Sequence, residues 1–399
     1  MHHAHDLNEH APDEHEQKTR LVMSRRRFLA ALGGATASLA VWSHGAWAAP
    51  MSAPRMVVVL LRGAMDGLHL MPPRDDPHYL RARGALAVQG AKPLDGSFGL
   101  HPALPFAHDL FARRQLLPLV AVAPPYRQRS HFDAQDCLEN GTAAPGGRRD
   151  GWIGRCVEAM TGAEGVAIAQ VMPLAMRGST RADIWSPPLP RDPSAMLMQQ
   201  LQALYAEDAR LAPAFADAMQ AQDMAMGTGT AGAFRLPDAM SAAARRLQGT
   251  DGARIAFVED TGWDTHRGQE AALARKFGEL DAGLRALHDG LGEDWRSTVV
   301  LVVTEFGRTV AANGSSGTDH GVGGMALLAG GAVRGSRIAG NWPGLATADL
   351  QDGRDLRATT DLRAVFKGVL LGHLGLRESA VESHVFPDSR SVRPFDGLV

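Results

Sequence analysis

Between Asp260 and Gly324 the sequence carries three clusters of acids and histidines: D-T-G-W-D-T-H at 260–266, T-E-F-G-R-T at 304–309 and G-T-D-H-G-V-G-G at 317–324. Carboxylate and imidazole meeting at one place is what a hard or borderline divalent metal ion requires. Asp264 and His266 stand two apart, so extended backbone puts both side chains on one side. They can act as two ligands of one ion, or as a ligand and its orienting partner; the open alternative is a surface turn that caps a helix starting near Gly268. Glu305 directly follows the strongest apolar run. A carboxylate buried there needs a metal or a cation, and Arg308 and Arg62 are the candidate cations. Asp319 and His320 are bracketed by glycines that let the backbone bring both groups inward.

Two earlier clusters add candidates. R-G-A-M-D-G at 62–67 follows another apolar run, and beside a metal cluster elsewhere in the chain Asp66 reads as a further ligand rather than a turn aspartate. S-H-F-D-A-Q-D at 130–136 offers Ser130 as nucleophile and His131 as its partner. The same residues also fit a helix start, with Ser130 as N-cap and Asp133 in the first turn. The two are alternatives, and both stay open.

These clusters need elements to hold them. Continuous apolar runs at 56–61, 116–122, 166–171, 255–258, 298–303 and 325–329 predict strands buried on both faces. Helical periodicity falls between them, at 195–226, 236–247, 268–291 and 360–371, with Pro213 breaking the first and Asp361 near the start of the last. The alternation predicts an α/β fold, a doubly wound mainly parallel sheet with helices on both faces. One domain, 49–399, is expected, with a helical insertion around 175–250.

The 399 residues are 45% hydrophobic and 21% charged, ordinary globular proportions. A net charge of −2 provides no electrostatic case for nucleic acid or an anionic membrane surface. The two cysteines, Cys137 and Cys156, cannot make a thiolate zinc site, and pairing and free thiols both remain open. Residues 24–29, S-R-R-R-F-L, resemble a twin-arginine export signal; a short apolar run and A-W-A at 46–48 follow. Residues 1–48 are therefore expected to be an N-terminal extension and a removed signal, handled by the twin-arginine translocase, and the protein to be periplasmic or secreted without a stable membrane anchor. The histidines at 2, 3, 5, 10 and 15 fit a polar extension lost with it.

Together, the leader and the motifs at 62–68, 130–136, 263–266, 304–309 and 317–321 resemble the DUF1501 family of exported proteins, across essentially the whole mature chain. That family is placed by fold with the alkaline phosphatase and sulfatase superfamily. The resemblance implies a doubly wound sandwich and one or two divalent metal ions, Zn²⁺, Ca²⁺ or Mg²⁺. Asp66 matches a first-strand metal aspartate. Asp264 and His266 resemble an Asp-x-x-x-His pair, spaced two apart instead of four. Glu305-Phe306 stands where an Asp-His pair is expected, and His320 resembles the late metal histidine. With Asp319, these residues make the candidate ligand set; Ser130 and His131, with Arg62 or Arg308 clamping an ester anion, make the candidate catalytic set. The implied activity is metal-dependent hydrolysis of a small-molecule or glycan phosphate or sulfate ester. The alternative is a degenerate relative that keeps the fold as a binding or assembly protein.

Overall fold

The computed structural model describes residues 53–187, 195–206, 212, 213, 215 and 235–399. The leader at 1–48 and most of the helical pattern between Tyr205 and Met226 lie outside the described residues.

Six expected strands form: β1 (Arg55–Leu61), β4 (Leu116–Ala123), β5 (Gly165–Ile168), β7 (Ile255–Asp260), β8 (Thr298–Val303) and β9 (Gly324–Ala329). Four shorter strands were not expected: β2 (Lys92–Pro93), β3 (Gly99–Leu100), β6 (Ala182–Trp185) and β10 (Thr360–Asp361). Eight strands make one sheet in the order β10-β4-β9-β8-β1-β7-β5-β6, while β2 and β3 pair separately. β1 is central and parallel to both neighbours, β8 and β7.

Alternation along the strands divides the core in two. Val57, Val59, Leu61, Val258, Val300 and Val302 face one layer with Leu104, Met240, Phe277 and Leu284. Met56, Val58, Leu60, Phe257, Leu301 and Val303 face the other with Trp152, Phe366 and Val369. Burial on both faces explains why these strands read as unbroken apolar runs. Leu236–Leu247, placed by the sequence inside an insertion, packs in the first of these layers through Leu236, Met240 and Leu247.

β9 departs from the parallel pattern: it runs antiparallel to both β8 and β4. The cause is the connection from Val303 to Gly324, which contains no helix. Without a crossover the chain stays at the edge where β8 ended, so the next strand must run back. The start of β9 therefore shares an edge with the carboxyl ends of β1, β7 and β8. Every acid-and-histidine motif leaves from that edge, where open α/β sheets build their sites.

A candidate metal centre at the carboxyl edge of the sheet

Three stretches of loop and one helix supply the groups. After β4 the chain enters a helix, His131–Asn140, whose face at His131, Gln135 and Glu139 looks toward the loops that follow β1 and β8. Positions four apart share a helix face, so one helix projects all three side chains the same way. Asp264 and His266 come from the loop after β7, Glu305 and Arg308 from the loop after β8, and Asp319 and His320 from the segment leading into β9.

His131, Asp264 and His320 offer ligand atoms that all lie within 4.8 Å of one another. His131 Nε2 is 3.0 Å from His320 Nε2 and 3.5 Å from Asp264 Oδ2. His266 joins them, its Nε2 3.1 Å from His320 Nε2 and 2.9 Å from Asp264 Oδ1.

The far nitrogens of the three rings assign their protons. His131 Nδ1 donates to Glu305 Oε1 at 2.8 Å, His266 Nδ1 to Asp319 Oδ1 at 3.0 Å, and His320 Nδ1 to the Arg129 carbonyl at 3.1 Å. With Nδ1–H fixed in each neutral ring, the Nε2 atoms of His131 and His266 each face His320 Nε2. Nitrogens 3.0–3.1 Å apart need a shared proton or a bound cation between them. Two nitrogens bound tetrahedrally to one zinc ion stand about 3.3 Å apart, from Zn–N bonds of 2.0–2.1 Å. The residues thus fit a metal ion on both donor chemistry and spacing. The ligand side chains also remain open to solvent, 22–41% exposed, while Glu305 and Arg308 behind them are fully buried.

Electrostatics follows from the same contacts. The Glu305 hydrogen bond raises the pKa of His131 despite partial burial. Burial, and then repulsion from His131, lowers that of His320. Burial pushes Asp264 up, but the hydrogen bond and charge of Arg308 more than reverse it, so Asp264 stays a carboxylate. Arg308 Nη1 donates to Asp264 Oδ1 at 2.5 Å, its Nε donates to Thr318 Oγ1 at 3.2 Å, and its Nη2 donates to the Thr318 carbonyl.

Several expected roles change. Asp66 does not enter the cluster. Its carboxylate is buried against Arg83, with bonds of 2.5 and 2.9 Å, and also accepts from Gln269, Thr318 and the His69 amide. Burial raises its pKa, yet Arg83 brings it down to about 2. It holds the fold beneath the site. Glu305 is likewise spent, accepting from His131, Gln135, Gly63 N and Thr304 Oγ1, so it orients a ligand and does not supply one. Asp319 does the same for His266. Arg62 cannot clamp an ester, because Glu259, Glu139 and Gln135 take its donors. Arg308 cannot either; it is committed to Asp264 and Thr318. Ser130 sits at the N-cap position of the 131–140 helix, where its side chain makes no capping hydrogen bond. His131, expected beside that serine as a catalytic partner, stands among the ligands. Its ring lies 4.8 Å from that of Phe306.

Sequence reasoning assigned no role to Gln135, Thr318, Arg83 or Arg129. Gln135 carried a signal, four residues from His131 on a helix. Arg129 carried none, since its contribution is a carbonyl. Its backbone is held left-handed at φ 62°, pinned by side-chain bonds to Asp355 and Asp352. Such conformations persist where surrounding contacts over-determine them.

No curated protein matches the chain. Among solved structures it is similar to a phosphonate monoester hydrolase of Agrobacterium radiobacter, at 11% identity over 81% of this chain and 74% of that one, with a TM-score of 0.39. It is similar to a protein in the alkaline phosphatase superfamily from Vibrio parahaemolyticus, at 11% identity over 72% and 62%, TM-score 0.35. It is similar also to a sulfatase from Pseudoalteromonas, at 10% identity over 79% and 68%, TM-score 0.35. These are distant likenesses of fold, and no residue role is carried across from them. A family profile described as "Protein of unknown function (DUF1501)" matches residues 121–385, about two thirds of the sequence, and the chain belongs to the DUF1501 family.

Proposed function

We propose that the protein is an exported, metal-dependent hydrolase of a phosphate or sulfate ester, carried on a small molecule or a glycan. The observation that supports this most is the convergence of His131, His320 and the Asp264 carboxylate, with His266 Nε2 beside the last two, each held from behind by a hydrogen-bond partner. Such rigidity suits catalysis, where reacting groups must already be in place. A divalent ion bound there would act as a Lewis acid on a phosphoryl or sulfuryl oxygen and would lower the pKa of an attacking hydroxyl or water.

The chain's own groups have distinct tasks in this reading. Glu305 and Asp319 keep protons on the Nδ1 atoms of His131 and His266, so that the opposite nitrogens stay basic. Arg308 holds Asp264 ionised and in one orientation. Phe306 packs against both His131 and His320, with ring centroids 4.8 and 5.2 Å away, and backs the pair on one side. With one carboxylate among the ligands, a divalent ion leaves the centre net positive, which favours an anionic ester. Export through the twin-arginine route belongs to the proposal on the strength of the leader alone.

One observation favours a second reading, a binding or assembly protein built on the same fold: Ser130, the expected nucleophile, stands at the N-cap position of the 131–140 helix. A panel of phosphate and sulfate esters, assayed with the purified protein before and after chelation, separates the two. The hydrolase reading expects chelator-sensitive turnover that His320→Ala abolishes and His108→Ala leaves intact. Metal-loaded protein without turnover on either ester class would favour the binding protein.

A further inference from the structure

We infer that the centre takes a single transition-metal ion of the zinc type, with His131, His266 and His320 as nitrogen ligands and Asp264 as the one oxygen ligand, and that it rejects calcium and magnesium. The inference rests on the metal-dependent reading above and narrows it to one class of cofactor.

The donor count carries the argument. Calcium takes six to eight oxygen ligands, and magnesium an octahedral oxygen shell. Of the carboxylates at 66, 260, 264, 305 and 319, four have partners of their own. Asp66 is occupied by Arg83, Gln269 and Thr318. Glu305 accepts from His131, Gln135, Gly63 and Thr304. Asp319 Oδ1 accepts from His266 Nδ1 and Asn313 Nδ2. Asp260 is paired with Lys276 at 2.5 Å and accepts from the Trp263 indole at 2.8 Å. Of these five, Asp264 alone presents its oxygens to imidazole Nε2 atoms, and Arg308 takes part of that carboxylate. Three imidazoles with one carboxylate is a set that borderline ions bind and hard ions do not.

The same accounting excludes a second ion. A two-metal site needs a further group of carboxylates or imidazoles a few ångströms away. Asp66 was the natural candidate, and Arg83 already neutralises it within the buried core. Among the described residues no other group of three or more acids, histidines or cysteines converges.

The test uses the full chain stripped with a chelator and then offered Zn²⁺, Co²⁺, Ca²⁺ or Mg²⁺ singly. The readouts are bound metal per chain, the shift in melting temperature, and the visible d–d absorption of the cobalt form. The expected result is one equivalent of zinc or cobalt, a cobalt spectrum of a low-coordinate nitrogen-rich site, and no retention of calcium or magnesium. His131→Ala is expected to weaken zinc binding by more than about a hundredfold, beyond the 10–100-fold typical of losing an outer-shell partner. His131→Asn, with circular dichroism to confirm folding, serves if the alanine variant does not fold. Two equivalents of metal, calcium or magnesium held in preference to zinc, or unchanged zinc affinity in a folded His131 variant would overturn the inference. Tight single-equivalent zinc without ester turnover would sink the hydrolase reading and leave this inference standing. Turnover supported by calcium or magnesium alone would do the reverse.

Discussion

Replacing Glu305 by glutamine separates its charge from its shape. Its carboxylate is fully buried and accepts from Gly63 N, His131 Nδ1 and Gln135 Nε2, each at 2.8 Å, and from Thr304 Oγ1 at 3.0 Å. In Glu305→Gln the amide oxygen can keep the first three bonds. The amide NH₂ then donates to Thr304 Oγ1, whose hydroxyl proton goes to the Leu61 carbonyl 2.7 Å away. The fold therefore loses no hydrogen bond, whereas His131 loses the anion that makes its Nε2 a strong donor to metal. Outer-shell changes of this kind lower metal affinity 10–100-fold, about 1.4–2.7 kcal/mol. Glu305→Ala, by contrast, strands buried donors at about 1–3 kcal/mol each and should destabilise the fold by several kcal/mol. Zinc competition against a chromophoric chelator gives the affinities, and urea unfolding of the chelated proteins gives the stabilities. Wild-type zinc affinity in folded Glu305→Gln would refute the role given to Glu305. Equal destabilisation by glutamine and alanine would refute the hydrogen-bond accounting.

Asp66→Asn should cost about 3–5 kcal/mol, because it leaves the Arg83 guanidinium buried without its counter-ion, yet any folded fraction should still bind a full equivalent of metal; elemental analysis showing metal lost in folded protein would reinstate Asp66 as a ligand. Gly63→Ala should destabilise the chelated protein by about 1–3 kcal/mol in urea unfolding, since Gly63 has a φ of 118° and an added Cβ would stand 2.5 Å from Asp264 N; an unchanged midpoint would show that the two loops do not need this close approach. Stability should also fall as pH drops from about 6.5 to about 4 and then level off. Burial, with a smaller contribution from His69, lowers His101 to about 4, so over that window the unfolded chain binds a proton that the folded chain refuses, a loss of about 3 kcal/mol. His101→Gln should reduce this slope by one proton's worth while leaving that of His69; an unaltered pH profile of denaturant unfolding would contradict the assignment.

The strands were legible where burial on both faces left an unbroken apolar signature, as at 56–61 and 298–303. Strand direction was not, because β9 has the same composition as its parallel neighbours; what reverses it is a crossover missing from the preceding loop. β6 and β10 are short edge strands of four and two residues, too brief for any periodicity. The site was visible as residue types and obscure as roles. A carboxylate beside a histidine can bind an ion or orient the histidine, and only atomic contacts separate Asp264 from Asp319. Asp66 looked like a ligand because its partner, Arg83, lies seventeen positions away in a helix of unremarkable composition. His131 looked like a serine's partner because the two are adjacent, although a helix start turns consecutive side chains apart.

The central claim is tested most directly by anomalous scattering at the zinc edge from crystals of the zinc-loaded protein. The account predicts one peak per chain, about 2.0–2.2 Å from Nε2 of His131, His266 and His320 and from the Asp264 carboxylate. A peak beside Asp66, a second peak of equal height, or no peak among the three imidazoles would contradict it.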